Sequence, residues 1–174
     1  ATALRQMQSC PHLCQEALSS LSKLDALCVL HEAQRQLIHS EFRLPLSKIH
    51  VVGAGYNESI FHAAKTRCEP GAKLLYAGKF AKSKGLDVLL DLVEPLSKRF
   101  PDFELHLAGS GSGKEGRMLH ERALALSPRV KSHGRLSQAE LGQLMQRMHT
   151  FVLPSLYEGL PLVLIEALAA GCRL

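Results

Sequence analysis

Residues 73–113 read KLLYAGKFAKSKGLDVLLDLVEPLSKRFPDFELHLAGSGSG, and this stretch decides the fold. An apolar run ends in a glycine-containing turn, an amphipathic segment follows, and a second apolar run ends in another glycine-rich turn. This order predicts strands at Lys73–Lys79 and Phe103–Gly109, connected by a helix over about 85–100. Pro95 lies inside that helix and is expected to kink it, because proline lacks a backbone N–H. Two strands joined by a crossover helix are expected to be parallel.

The same rhythm continues toward the end of the chain. It predicts two more strands, at Val130–Gly134 and Thr150–Ser155, and helices over about 114–127, 137–149 and 160–170. Ser137 and Glu140 have the spacing of a capping box, and Pro161 sits where a first helical residue tolerates proline. The strands are apolar almost throughout, as expected when helices cover both faces of a sheet. The predicted fold class is therefore α/β with a doubly wound parallel sheet.

The first 72 residues follow a less regular pattern. They predict helices at Cys10–Leu24 and Glu32–Phe42 and strands at Ala26–His31 and Ile49–Gly53. These elements could begin the same sheet or belong to a neighbouring domain. At the other end of the chain, the sequence GCRL begins a further strand. Because a doubly wound sheet normally continues from there, we expect this domain to be truncated at its C-terminus.

The composition excludes several classes of protein. The chain has 174 residues, of which 46% are apolar and 21% charged, so disorder and a membrane-spanning protein are not expected. Its net charge of +5 suits an anionic ligand or an acidic membrane surface. Aromatic residues make up only 5%, without Trp, so nucleic acid is not an expected partner. The opening residues lack the apolar core of a signal peptide.

The five cysteines predict reduced thiols in a cytoplasmic protein, because their number is odd and they are scattered along the chain. Cys10, His12 and Cys14 lie close together, but His12 would point away from the other two and no second ligand pair follows. No zinc site is therefore expected there.

Ligands of an open parallel sheet bind beyond the carboxyl ends of the strands, near helix N-termini. Each loop predicted at that edge combines glycine with charged or hydroxyl groups; the loops are Gly78–Gly85, Gly109–Lys114, His133–Arg135 and Pro154–Pro161. Four such loops at one edge indicate a phosphate-bearing ligand. The loop at Gly109 is not a Walker phosphate loop, because Glu115 stands where Ser or Thr must bind magnesium. It is not a dinucleotide-binding fingerprint either, because its third glycine falls too early in the sequence. A plain tight turn into a helix remains an alternative.

Glu158 and Glu166 stand out in the last loop and helix. Glu158 lies just before the last predicted helix, and Glu166 lies eight residues later inside it, which corresponds to two turns along the helix and about 80° around it. Glu166 lies in the apolar stretch VLIEALAA, where a carboxylate needs a partner. The alternative is that Glu158 complements the helix dipole and Glu166 is a solvated helix residue.

The segment SLYEGLPLVLIEALAAG, residues 155–171, resembles the paired-glutamate motif of the retaining glycosyltransferases that include glycogen, sucrose and mannosyl transferases. LLYAGKFAKSKGLDVLL resembles the Gly-Arg/Lys…Lys-Gly segment of that family, and LHLAGSGSG resembles its Gly-x-Gly turn. The resemblance covers about residues 25–174. It implies the GT-B fold, in which two Rossmann-like domains face a cleft. Residues 1–48 would be the end of the N-terminal domain with the interdomain segment, and residues 49–174 the nucleotide-sugar-binding domain.

The resemblance also implies roles for individual residues. Lys79 and Lys84 would bind the donor diphosphate, Glu166 the ribose hydroxyls, and Glu158 the transferred sugar, so that Glu158, Lys79 and Lys84 would be the catalytic set. The donor-binding residues that it implies are Gly78, Lys79, Lys84, Gly109, Gly111, His133, Gly134, Arg135, Ser155, Glu158, Gly159, Leu160, Leu162 and Glu166. Lys79 stands where many family members have Arg, which replaces a bidentate fork by a point charge. For both lysines, a solvated side chain is the alternative.

The expected activity is retaining transfer of a hexosyl group from a nucleoside-diphosphate sugar. No metal or other cofactor is expected, because no Asp-x-Asp occurs and two ammonium groups can stabilise the leaving diphosphate. The acceptor, a glycan, lipid or small molecule, would be held by a mostly absent N-terminal domain, so this segment alone should be inactive. A nucleotide-sugar epimerase of the same architecture and a catalytically silent nucleotide-binding domain remain alternatives. The base, sugar and acceptor stay open, as does peripheral association with the inner face of the membrane.

Overall fold

A computed structural model describes residues 10–64, 72–126 and 128–174, without the side chains of residues 11–14 and 17. The prediction that Cys10, His12 and Cys14 form no zinc site therefore concerns side chains that partly lie outside the described residues. The chain divides into two compact units, Ala1–Gly55 and Tyr56–Leu174.

The first unit contains two helices and two short strands: α1 (Pro11–Ser22), β1 (Leu27–Val29), α2 (Glu32–Phe42) and β2 (Ile49–Val51), with a 3₁₀ turn at Leu46–Lys48. The strands form a two-stranded parallel sheet of their own, with Leu27 opposite Ile49. The question left open by the sequence is thus answered, since these strands do not extend the main sheet. Val29, Ile38 and Phe42 belong to the small apolar core of this unit.

The second unit is a four-stranded parallel sheet with helices between the strands. Its elements are β3 (Lys73–Ala77), α3 (Leu86–Asp91), α4 (Val93–Arg99), β4 (Glu104–Ala108), α5 (Gly113–Ala125), β5 (Val130–Gly134), α6 (Gln138–Met145), β6 (Thr150–Phe151) and α7 (Leu162–Ala169), with a 3₁₀ turn at Lys82–Lys84. The strand order is β5-β4-β3-β6, and all neighbours are parallel. The predicted doubly wound α/β sheet is confirmed.

Each face of the sheet has its own apolar core. On one face, Leu105 and Leu107 of β4 pack in a cluster with buried residues of α3, α4 and α5. On the other face, Leu75 of β3 and Phe151 of β6 pack in a cluster with buried residues of α6 and α7. The apolar character of the strands therefore has the cause that the sequence predicts, burial on both sides.

Pro95 divides the first predicted helix into α3 and α4. The break lies at Leu92, where the amide bonds back to Leu89, upstream of the proline itself. The proline ring would clash with the carbonyl four residues earlier, that of Asp91, so the interruption falls there. Pro95 itself sits in the first turn of α4, where a missing N–H costs nothing.

Two predictions near the end of the chain are wrong in detail. The strand predicted at Thr150–Ser155 ends at Phe151, because the chain then turns out toward the loop that contains Pro154. Pro161 is the N-cap of α7 and not its first residue. In the segment GCRL, where a further strand is predicted, Arg173 forms an isolated parallel bridge with Thr150. Ser137 and Glu140 form the predicted capping box of α6.

Within the described ranges, every helix is too short or too polar to cross a lipid bilayer.

Candidate functional site

A cavity of about 600 Å³ lies at the carboxyl ends of the strands. The chain runs from β3 to β4 and β5 on one side and returns to β6 on the other, so helices leave the sheet in opposite directions on either side of β3. This topological switch point leaves a crevice in which ligands of such sheets bind. The lining residues are Ala77, Gly78, Lys79, Ala108, Gly109, Ser110, Gly111, Ser112, Arg135, Leu136, Leu141, Val163 and Glu166.

A row of backbone hydrogen bonds forms the floor of this cavity. The amide of Gly78 donates to the carbonyl of Ala108 over 2.9 Å, and the amide of Gly109 donates to the carbonyl of Gly134 over 2.7 Å. Gly109 has a φ of 137°, and a Cβ there would come within 1.9 Å of the Gly78 carbonyl oxygen. A glycine is therefore required where the ends of β3 and β4 meet.

The turn at Lys79 is fixed from beneath by Tyr76. The Tyr76 hydroxyl, on a fully buried side chain, donates to the Lys79 carbonyl over 2.6 Å. Burial, and then the negative charge of Glu158, raise the pKa of Tyr76 well above its usual value. The Lys79 side chain is exposed and lines the cavity, as the prediction of a diphosphate ligand requires.

The turn at Lys84 packs closely against the loop that follows β6. Gly85 has a φ of 69°, and a Cβ there would lie 1.9 Å from the carbonyl oxygen of Pro154. The amide of Leu156 donates to the carbonyl of Ser83 over 3.1 Å. The backbone can come this close because residue 85 has no side chain, and the contact brings Lys84 next to the predicted glutamate motif.

Glu158 is held by two donors. Lys84 Nζ lies 2.7 Å from Glu158 Oε1, and the Ser155 hydroxyl donates to the same oxygen over 2.8 Å. Burial opposes ionisation of Glu158, but the hydrogen bonds from Lys84 and Ser155 outweigh it and lower the pKa of the carboxyl. Glu158 is therefore an ionised carboxylate at neutral pH.

Glu166 lines the cavity from α7 and is half-buried. Burial raises the pKa of its carboxyl. Among the described residues it has no hydrogen-bond or ion-pair partner in the protein. The partner that the sequence led us to expect is thus not among the side chains that the structure describes, and the carboxylate lines a cavity that a ligand can fill.

The predicted angle between the two glutamates is wrong, although their predicted positions before and within the helix are right. Glu158 lies in the loop before α7 and Glu166 within that helix, as predicted, but because α7 begins only at Leu162 the rotation of about 80° over eight residues does not describe the pair. The position of Glu158 is set by Lys84 and Ser155, and that of Glu166 by the helix. In the first turn of α7, the amides of Leu162 and Val163 have no partner within the helix and carry its positive dipole end.

The other predicted site residues fall into two groups. Gly78, Gly109, Gly111 and Arg135 line the same cavity as Lys79 and Glu166. The remaining residues, which do not line it, are Lys84, His133, Gly134, Ser155, Glu158, Gly159, Leu160 and Leu162. The binding role of each residue in both groups stays a prediction.

His133, one of the predicted donor-binding residues, turns toward β4. Its Nε2 lies 2.9 Å from Nδ1 of His106. Sequence reasoning missed His106, because a single histidine in an apolar strand carries no local signal. It also missed Ser110 and Ser112, although both belong to a glycine-rich loop of the kind that lines phosphate sites.

No group of three or more His, Cys, Asp or Glu side chains within the described residues is arranged to hold a metal ion.

Comparisons with known proteins complete this description. The family described as "Glycosyl transferases group 1" matches residues 58–173. Mannosylfructose-phosphate synthase of Agrobacterium fabrum is 26% identical over 90% of the chain and 38% of its own length. Glycogen synthase of Mycobacterium tuberculosis is 30% identical over 86% of the chain and 36% of its own length. The chain thus spans well under half of these relatives.

A crystal structure of the pneumococcal O-GlcNAc transferase GtfA, in complex with UDP and GlcNAc, shares the fold. Its TM-score is 0.74, with 23% identity over 89% of this chain and 30% of GtfA.

Proposed function

Because the chain belongs to the glycosyl transferase group 1 family, we propose that its second unit binds a nucleoside-diphosphate sugar and supports retaining transfer of the sugar. The observation that carries the proposal is the cavity at the switch point, which Lys79, Arg135 and Glu166 line together. Cations beside a glycine-rich floor suit a diphosphate, and a carboxylate that has no partner among the described residues suits sugar hydroxyls.

The diphosphate would lie against Lys79 and the backbone row of Gly78 and Gly109. Neither glycine has a side chain, so phosphate oxygens can approach the main chain closely. Glu166 would accept hydrogen bonds from the ribose hydroxyls, which would supply the partners that the described part of the chain does not. These contacts would orient the nucleotide with its diphosphate toward α7.

The sugar would lie near Glu158. When the bond between the sugar and its phosphate breaks, the electron pair leaves with the diphosphate and positive character develops on the sugar ring. Lys79, Lys84 and the N-terminal amides of α7 would stabilise the first charge, and the Glu158 carboxylate the second. Because these groups would compensate both developing charges, the reaction would require no metal ion or other cofactor.

The comparisons support the two parts of this proposal, the nucleotide and the sugar. GtfA, which shares the fold, has been crystallised with UDP and GlcNAc. The relatives named above are a synthase of a sugar phosphate and a synthase of glycogen. Because the chain spans 36–38% of these relatives, a preceding domain would hold the acceptor, whether glycan, lipid or small molecule. The whole enzyme would then be a cytoplasmic hexosyltransferase.

The proposal is tested by titrating the 174-residue chain with UDP, GDP, ADP and UMP in a calorimeter. At least one diphosphate should bind, and more tightly than UMP, because the second phosphate meets Lys79. Lys79→Ala should weaken binding by about tenfold or more. Lys73→Ala is the matched control, since Lys73 is an exposed lysine at the other end of the same strand.

Two results would contradict the proposal. One is a chain that binds none of the four nucleotides. The other is equal weakening by Lys79→Ala and Lys73→Ala, which would indicate nonspecific attraction to a basic protein.

A further inference from the structure

Two histidines on neighbouring strands form a stacked pair beside the cavity. His106 of β4 is 7% exposed, and its ring stacks on that of His133 with a centroid separation of 5.1 Å and an interplanar angle of 16°. His106 Nδ1 and His133 Nε2 are 2.9 Å apart. Neither ring lines the cavity, and the proposed function assigns no role to His106.

The pair lies at an irregularity in the sheet. Leu107 is opposite Ser132, but the next residue of β4, Ala108, is opposite Gly134. His133 is therefore an extra residue in β5, a β-bulge, and its side chain is the one that contacts His106. Bulges redirect a strand at its end, and they are frequent beside functional sites.

The hydrogen bonds of the pair run in one direction. Lys131 donates to Glu104 Oε1 over 2.6 Å, so Glu104 is an ionised acceptor. His106 Nε2 lies 3.2 Å from Glu104 Oε2 and must donate to it. A neutral His106 then has only an acceptor left at Nδ1, and His133 Nε2–H donates to that atom. The tautomers of both rings follow from the Glu104 charge.

The bulge leads directly into the cavity. Gly134, the next residue, accepts the hydrogen bond from the Gly109 amide that forms the cavity floor. Arg135, one residue further, lines the cavity itself. A displacement of His133 would therefore move both the floor and a cation of the site.

We propose that His106 is a positioning residue: its Nδ1 anchors the His133 bulge, and through it aligns the Gly109–Gly134 edge and Arg135 for the nucleotide. This inference rests on the proposed function, since it concerns the same cavity.

The anchor depends on pH. Burial lowers the pKa of His106, against the opposing effect of Glu104, and the neighbouring His133 lowers it further. Burial, Arg147 and Lys131 lower the pKa of His133. Both rings are therefore neutral at neutral pH. On acidification, a proton binds either to the Nδ1 lone pair of His106 or to His133. In both cases the chain of hydrogen bonds from His133 through His106 to Glu104 is altered.

Two substitutions of His106 separate its two hydrogen bonds. His106→Asn places an amide oxygen where Nδ1 stood and keeps the acceptor for His133. His106→Gln keeps a donor for Glu104 but removes that acceptor. Affinity is measured calorimetrically for UDP, GDP and ADP from about pH 5 to about pH 8, a range that spans the histidine titration.

At neutral pH, His106→Gln should weaken binding of the tightest of these nucleotides by about twofold to about tenfold, the range of one hydrogen bond. His106→Asn should bind like the wild type and lose less affinity on acidification, because it cannot be protonated. A merely structural role would make both substitutions equivalent and leave the pH profile unchanged.

His133→Ala, at an exposed position, gives a second test that leaves the buried core intact. It should weaken binding as much as His106→Gln does, and the double variant should be no worse than either single one. The inference is overturned if His106→Gln and His133→Ala bind like the wild type, or if His106→Asn keeps the wild-type acid profile. Failure of the wild type to bind any of the three nucleotides would overturn the proposed function and this inference together.

Discussion

Lys84 Nζ lies 2.7 Å from Glu158 Oε1, although 74 residues separate the two in the sequence. The contact joins the turn after β3 to the loop after β6, across the switch point of the sheet. It pairs a cation proposed for the diphosphate with a carboxylate proposed for the sugar, so the two halves of the proposed donor site are fixed relative to each other before a ligand binds.

Lys84→Ala should weaken nucleoside-diphosphate binding by about tenfold to about a hundredfold, since a charged hydrogen-bond donor is lost. The free energy of unfolding should fall by at most about 1 kcal/mol, because the ion pair is partly solvated. Calorimetric titration and urea unfolding measure the two effects. Lys82→Ala, an exposed lysine of the same 3₁₀ turn, is the control, and equal losses of affinity in both variants would contradict the prediction.

Gly85→Ala should lower the free energy of unfolding by about 2–4 kcal/mol. The left-handed backbone strains an alanine, and its Cβ would overlap the Pro154 carbonyl oxygen. The control is Gly159→Ala, because residue 159 has open space around it and no positive φ. Urea denaturation compares the stabilities of the two variants. If they are similar, the contact between residue 85 and the loop after β6 does not require a glycine.

Glu166→Gln should change the pH dependence of stability. Burial raises the pKa of Glu166, so the folded chain keeps this proton at pH values where the unfolded chain has released it. Stability therefore falls as pH rises from the ordinary carboxyl pKa through the raised one, and the glutamine variant should lack this part of the fall. Urea unfolding at about pH 4 and about pH 7 checks the sign.

The same variant should bind nucleoside diphosphate about fivefold more weakly, since an amide accepts hydrogen bonds less strongly than a carboxylate. Glu121→Gln, at an exposed position of α5, is the control for both effects. A Glu166→Gln variant that titrates and binds like Glu121→Gln would argue against the predicted ribose contact.

Tyr76→Phe should cost about 1–2 kcal/mol of unfolding free energy, because it removes the hydroxyl that donates to the Lys79 carbonyl in a buried place. Nucleotide affinity should also fall, since the Lys79 turn loses its support. Tyr56→Phe, at an exposed tyrosine, serves for comparison. If Tyr76→Phe lowers the free energy of unfolding but leaves nucleotide affinity unchanged, the Lys79 turn is held by its backbone and not by the hydroxyl.

What the sequence predicted well was local. The strand Val130–Gly134, the helix Glu32–Phe42 and the capping box of Ser137 follow from period, propensity and spacing within a few residues. Each of the four predicted edge loops contributes a residue to the cavity or to the Lys84–Glu158 cluster, or lies next to such a residue, because parallel strands end at a common edge.

What it did not predict depends on pairing between distant residues. The bulge at His133 is a matter of register between β4 and β5, and no pattern within either strand reveals it. The ion pair between Lys84 and Glu158 joins residues 74 positions apart, and no pattern within either loop reveals it. Likewise, the separate pairing of β1 with β2 could not be distinguished from extension of the main sheet by composition alone.

The order β5-β4-β3-β6 means that the crevice arises from chain connectivity and owes its existence to no single side chain. Point substitutions at its edge can therefore alter which molecule it prefers without erasing it. Divergence of such a domain has an easy route: the scaffold persists while the lining residues drift, and relatives of low identity can acquire new chemistry without refolding.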